Sequence, residues 1–217
     1  MSLDAKAPGH VGPLARGGQR RVQPAAGDHD FQPEARVTPG GLWGPTLEAL
    51  VVSGGLSPGP SDCLAACLTQ WWEAVRERFG AGSTWVSHLD HGPANPSRRP
   101  PCMRRMVDWV HHSRLPVRVA SSPPYHSKDN PIERCWGIRE THGHGALRDS
   151  MEAVVAYARP MTWKSKHPTV DGVPTGYKTG VKLTQEARNQ VEKQRQRLPS
   201  LHKWFVDIYP PPNAWDT

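Results

Sequence analysis

The patterning of apolar residues predicts a mixed α/β fold, a five-stranded sheet flanked by helices. Three observations carry the prediction. Apolar residues ahead of position 60 fall in short runs separated by turn residues. From Ser61 onward the pattern alternates as helix, strand, helix, strand, helix. The chain has 217 residues, enough for one sizeable core and too few for two comfortable ones.

The elements follow in order. Ser2-Leu3-Asp4-Ala5-Lys6 reads as a first strand that carries an acid, and Arg16 to Gln23 reads as a basic turn entering a second strand. Arg36 to Trp43 and Leu47 to Ser53 are two further strands, completing an antiparallel part of the sheet. Ser61 to Phe79 is the clearest helix. Ser61 caps it, and Leu64, Cys67, Leu68, Trp71, Trp72, Val75 and Phe79 recur at spacings of three and four. Trp71 and Trp72 therefore read as packing residues. Cys63 and Cys67 lie one turn apart, but no other ligand pair is placed to complete a metal site, so they read as core thiols. The four cysteines form no CxxC pair, which fits reduced thiols.

Thr84 to Asp90 reads as a strand ending in an acid, Pro101 to Ser113 as a helix, and Pro116 to Ala120 as a β-branched strand. Strand, helix, strand implies a parallel pair with a right-handed crossover. Pro123-Pro124 stops the strand from continuing. Asn130-Pro131 then has the form of a helix start, with Glu133 in the first turn. Glu133 either offsets the helix dipole or supplies a carboxylate to a site, and these residues alone leave both open. Asp149 to Ala158 is helical and Met161 to Pro168 is a basic, aromatic loop. Leu183 to Leu198 is a polar helix, its positive charge read as a solvated face rather than a DNA contact. Leu201 to Ile208 docks on the core ahead of a proline-rich tail, residues 209–217.

This order is that of a ribonuclease H-like fold. There the first strand is central and the fourth lies beside it, so Asp4 and Asp90 become neighbours. Adjacent strands are about 4.8 Å apart, close enough for two carboxylates to share hard cations. Glu133 supplies the third side. Two Mg²⁺ ions held this way would activate an attacking water or 3′-hydroxyl and stabilise the leaving oxygen of a phosphodiester.

Net charge supports a polyanionic partner. The chain carries 27 Lys and Arg against 20 Asp and Glu, a net charge of +7, which favours nucleic acid. No segment has the length of a membrane span, and the N-terminus lacks a basic region followed by an apolar run, so the expected location is cytoplasmic.

Motifs along nearly the whole chain make the sequence recognisable. Leu3-Asp4-Ala5-Lys6, Arg16-Gly17-Gly18, Asp28-His29-Asp30-Phe31 and Leu89-Asp90-His91-Gly92-Pro93 come first. The most specific are Pro123-Pro124-Tyr125-His126-Ser127-Lys128 and Asn130-Pro131-Ile132-Glu133-Arg134-Cys135-Trp136-Gly137. Met161-Thr162-Trp163-Lys164, Thr179 to Thr184 and Lys203 to Ile208 extend the set. With these the chain resembles the DDE transposases of insertion sequences, in particular the Rhodopirellula transposase DDE domain group.

The resemblance implies that Asp4, Asp90 and Glu133 are the catalytic, metal-binding triad, using two Mg²⁺ ions for which Mn²⁺ can substitute. It implies double-stranded DNA as partner, both transposon ends and target, a homo-oligomer that pairs two ends, and a nucleoid-associated location. On this reading residues 1–208 are the catalytic domain. Arg16, Arg20, Arg21, Tyr125, His126, Lys128, Asn130, Arg134, Lys164 and Lys166 are the expected DNA contacts.

There are departures. Family members carry a helical end-binding region before the first Asp, and this chain begins three residues ahead of Asp4. The family's Asp-Asn-Gly-Pro-Glu-Asn is here Asp90-His91-Gly92-Pro93-Ala94-Asn95, a glycine-rich Thr38-Pro39-Gly40-Gly41 stands for a more apolar turn, and Thr141 to Gly145 has drifted toward Gly and His. The alternatives are an inactive, truncated transposase remnant and a basic DNA-binding module without chemistry.

Overall fold

A computed structural model describes residues 1–6, 9–15, 35–55, 60–79, 83–89, 100–122, 129–142, 147–148, 150–173 and 183–212. The first strand, β1 (Ser2–Ala5), is central. On one side it pairs antiparallel with β3 (Ala35–Gly44), which pairs antiparallel with β4 (Ala49–Gly55). On the other it pairs parallel with β5 (Trp85–Leu89), which pairs parallel with β6 (Val117–Ser121). The order β4-β3-β1-β5-β6, two antiparallel joints followed by two parallel ones, is the expected ribonuclease H-like arrangement.

The sheet is wider than five strands. It holds ten among the described residues. β2 (Gly9–Ala15) pairs with the start of β3, and β7 (Leu147–Arg148) with β2. β8 (Thr169–Val173) runs parallel to β4. β10 (Phe205–Ile208) pairs antiparallel with β6, and β9 (Arg195–Arg197) with β10. Both outer strands of the five are thereby paired, which removes edges that would otherwise present open backbone groups. The expected strand from Arg16 to Gln23 lies outside the described residues, and the second observed strand precedes it.

Helices cover both faces. α1 (Pro60–Val75) and α2 (Pro100–Ser113) pack on one, over Leu3, Leu42, Trp85, Val117 and Val119. α3 (Ile132–His142) covers the other, where Ile132, Cys135 and Trp136 meet Trp43, Leu50, Val52 and Met161. α4 (Met151–Ala156) packs against β4 and β8, and α5 (Gln185–Lys193) against α2. Successive side chains of a strand point to opposite faces. Leu3 and Leu42 therefore join the α1 side, and the neighbouring Trp43 joins the α3 side.

Around Trp71 the α1 side is an aromatic stack. Trp71 lies 4.1 Å from Trp85 and 5.7 Å from Phe79, centroid to centroid, and Trp72 lies 6.0 Å from Trp109. Tilted and edge-on pairs of this kind contribute about 0.5–1.5 kcal/mol each beyond area burial. Cys63, Cys67, Cys102 and Cys135 are buried free thiols, and burial pushes the Cys135 thiol up to about 12.

Four local features refine the expectations. Thr38-Pro39-Gly40-Gly41, set against a turn of the family, is the interior of β3, as the strand expected from Arg36 to Trp43 requires. A Cβ on Gly40 would sit 2.6 Å from the Cys63 sulfur of α1, and one on Gly41 would sit 2.8 Å from the Trp136 ring of α3. The two glycines let a helix approach the sheet closely from each face at adjacent positions. The polar helix ends at Lys193 instead of Leu198, because Arg195–Arg197 takes the free edge of β10 as a strand. The tail docks as β10, where the Arg118 guanidinium grips Asp207 opposite it at 2.7 and 2.8 Å. Within the 161–168 loop, Trp163 and Lys166 pair as a tight reversal with Lys164 and Ser165 at φ of 50° and 64°. That geometry is a two-residue hairpin turn without the glycine it usually takes.

Candidate active site

Three side chains of one strand edge face α3. Ser2, Asp4 and Lys6 are two residues apart, so the pleat sends them the same way. Lys6 follows the last residue of β1, and its N–H continues the ladder by donating to Pro39 O at 2.9 Å. Opposite them α3 begins. The Ile132 N–H, one of the unpaired donors of a first helical turn, donates to Ser2 Oγ at 3.1 Å. Ser2 Oγ in turn donates to the Asn130 side-chain oxygen, and Asn130 Nδ2 donates to Leu3 O at 3.2 Å. The helix start is thus fastened to β1 by a cap supplied from the strand.

That fastening brings Glu133 and Trp136 over the strand end. Trp136 Nε1 donates to Asp4 Oδ2 at 2.8 Å. Asp4 is only 5% exposed. Burial pushes its carboxyl up to about 6, the nearby Glu133 charge adds to the rise, and Trp136, the Ala5 N–H and Lys6 partly offset it. Lys6 Nζ lies 3.2 Å from Glu133 Oε2, the two side chains 34% and 25% exposed. Two carboxylates that repel each other, one of them nearly dry, are costly unless a cation is near. The oxygen donors of Asp4 and Glu133 fit a hard divalent cation.

The remaining expected residues are distributed as follows. Asp90 lies outside the described residues. Leu89, immediately before it, pairs with Leu3, immediately before Asp4. Arg16, Arg20, Arg21, Tyr125, His126 and Lys128 also lie outside them. Among the described residues no group of three or more His, Cys, Asp or Glu is placed to hold a metal. Arg134 is exposed on α3. Lys164 and Lys166 are exposed, 3.6 and 3.0 Å from Glu48, with Lys164 Nζ 5.7 Å over the Trp43 ring. Asn130, expected along DNA, is 1% exposed, and its side chain bonds Ser2 and Leu3. An amide with its polar atoms so engaged supports the site from beneath.

Ser2, Lys6 and Trp136 take part in the geometry without having been singled out from the sequence. A signal existed for each. Ser2 and Lys6 sit two residues either side of Asp4, the strand period, and Trp136 sits three after Glu133, on one helix face.

Compared with known families, the chain matches the model described as Rhodopirellula transposase DDE domain over residues 1–210. No curated protein and no solved structure matches. No helix among the described residues is long and apolar enough to cross a membrane.

Proposed function

Because the chain belongs to the Rhodopirellula transposase DDE domain family, we propose that residues 1–208 form a catalytic domain that cuts and joins DNA strands of an insertion sequence. Asp4, Asp90 and Glu133 are its acids. The observation that supports this reading is the parallel pairing of Leu3 with Leu89, the residues that immediately precede Asp4 and Asp90 in the chain. Glu133 approaches Asp4 from α3, and its charge already acts on Asp4.

The chain's own groups do the holding. Trp136 fixes one oxygen of Asp4 and leaves the other for a ligand. Ser2 and Asn130 fix the helix start that carries Glu133. The three carboxylates would hold two Mg²⁺ ions, with Mn²⁺ as a substitute, and the ions would supply activation of a water or 3′-hydroxyl and charge stabilisation of the leaving oxygen. Arg134, Lys164 and Lys166 offer cations to DNA phosphates, joined by Arg16, Arg20, Arg21 and Lys128, with Tyr125 and His126 as hydrogen-bonding contacts. Pairing of two transposon ends calls for a homo-oligomer acting at the nucleoid.

The test uses the full chain with DNA carrying the element's ends. Nicking or joining that requires Mg²⁺ or Mn²⁺ and is abolished by Asp90→Asn is the expected result. Cleavage that survives that substitution would overturn the assignment.

A further inference from the structure

We infer that the Lys6 ammonium is the resident counter-ion of the Asp4 and Glu133 carboxylates, standing in the place of a divalent cation and leaving when that cation binds. The inference rests on the proposed reading of those acids as metal ligands. Among the described residues, Lys6 is the cation that reaches into this cluster and contacts Glu133. Its backbone is tied to the sheet through Pro39 O, and its four-carbon stem turns from there toward α3, so that Nζ meets Glu133 Oε2 at 3.2 Å. A lysine without a task here would extend into water, as a flexible and strongly hydrated ammonium ordinarily does. This one is two-thirds covered.

The charges make the exchange follow. Asp4 has one oxygen engaged by Trp136, so Asp4 and Glu133 together present two negative charges and too few donors to neutralise them. One ammonium balances half of that charge, and a divalent cation balances all of it. An ammonium and a divalent cation in the same small space repel each other, and the one on the flexible stem is the one that moves. Released from Glu133, the ammonium remains at the mouth of the site, within its stem's reach of a phosphate oxygen.

Two measurements on the full chain test this, neither of which needs catalysis. The first is Mn²⁺ binding without DNA, read from the free-ion electron paramagnetic resonance signal. Lys6→Met, which keeps the stem and removes the charge, should bind Mn²⁺ roughly five- to tenfold tighter than the wild type, and Lys6→Arg should bind like the wild type. Unchanged or weaker binding by Lys6→Met would overturn the inference. The second uses the wild-type protein alone: acylation of the Lys6 amine, mapped by mass spectrometry, should rise when Mn²⁺ is added, and acylation that does not respond overturns it too. Glu133→Gln separates the two readings. If wild type and Glu133→Gln bind Mn²⁺ equally, the carboxylate site itself is wrong and the inference falls with it; if only Glu133→Gln binds weakly while Lys6→Met matches the wild type, the site stands and the counter-ion role alone is lost.

Discussion

Trp136 on the α3 face is used differently from Trp71, Trp85 and Trp109 on the α1 face, although Trp163 on the α3 side also has an unpartnered indole N–H. On the α1 face Trp71, Trp85 and Trp109 are buried, and their indole N–H groups have no hydrogen-bond partner among the described residues. Those rings act as large apolar bodies that fill space between α1, α2 and β5, and the unmet polar atom is the cost of their volume. On the α3 face Trp136 is as deeply buried, yet its N–H is directed at Asp4. There the ring both packs and sets the orientation of a carboxylate. The α1 face supplies stability, and the α3 face gives some of it up to hold two like charges beside each other.

The largest expected effect is on the packing face. Trp71→Ala should cost about 3–5 kcal/mol, read as a fall in the urea midpoint, and a loss near zero would show that the stack is not the core. Next comes Asp4→Asn. The Asp4 carboxyl stands near 3.8 in the unfolded chain and about 6 in the folded one, so the folded state holds the proton more tightly. Ionisation therefore removes stability as pH rises from about 3.8 to about 6, and the loss is complete above that range. Asp4→Asn should stabilise the metal-free protein by on the order of 2–3 kcal/mol at pH 7.5 and by nothing below about pH 4. A pH-independent difference would refute the cause.

A smaller effect separates the two kinds of tryptophan. Trp136→Phe removes a donor that favours the charged carboxylate, so the pH at which the loss from Asp4 is complete should move up by roughly one unit while its onset stays in place. Trp71→Phe should leave the pH of complete loss where it is. Equal behaviour in pH-dependent denaturation would erase the contrast between the faces. Smallest is Glu48→Gln. Glu48 is exposed and holds Lys164 and Lys166 on the α3 side; its loss should leave the thermal midpoint unchanged and raise DNA affinity roughly two- to threefold at low salt. Weaker DNA binding would show that the turn needs Glu48 for its shape.

Much of the fold could be read along the chain because periodicity is local. α2, β5 and β6 lie within one or two residues of their expected bounds, and α1 starts within one of its own, since each carries an unbroken apolar pattern. α1 ends at Val75 and a single 3₁₀ turn at Arg76–Arg78 carries the chain on to Phe79. β9 and β10 were hidden for the opposite reason. Arg195-Gln196-Arg197 has no strand propensity worth noting, and it is extended only because the edge of β10 is there to pair with. Gly40 and Gly41 lie within the strand expected from Arg36 to Trp43, but why glycine stands there is explained only by the two helices approaching from opposite sides. In the candidate site the acids at positions 4 and 133 were visible as residue types in suggestive places. Their proximity depends on Ser2 and Asn130 bridging β1 and α3, a contact between distant segments that no local pattern records.

The last strand has a consequence for how the protein is made. β10 covers the outer edge of β6, and its final residue in the ladder is Ile208. Until that residue has left the ribosome and swung back, a nascent chain keeps β6 with its amides and carbonyls bare, and two such chains on one messenger can zip together there before either is finished. How soon β10 reaches β6, and not the strength of the core alone, then bears on how much of the product escapes aggregation.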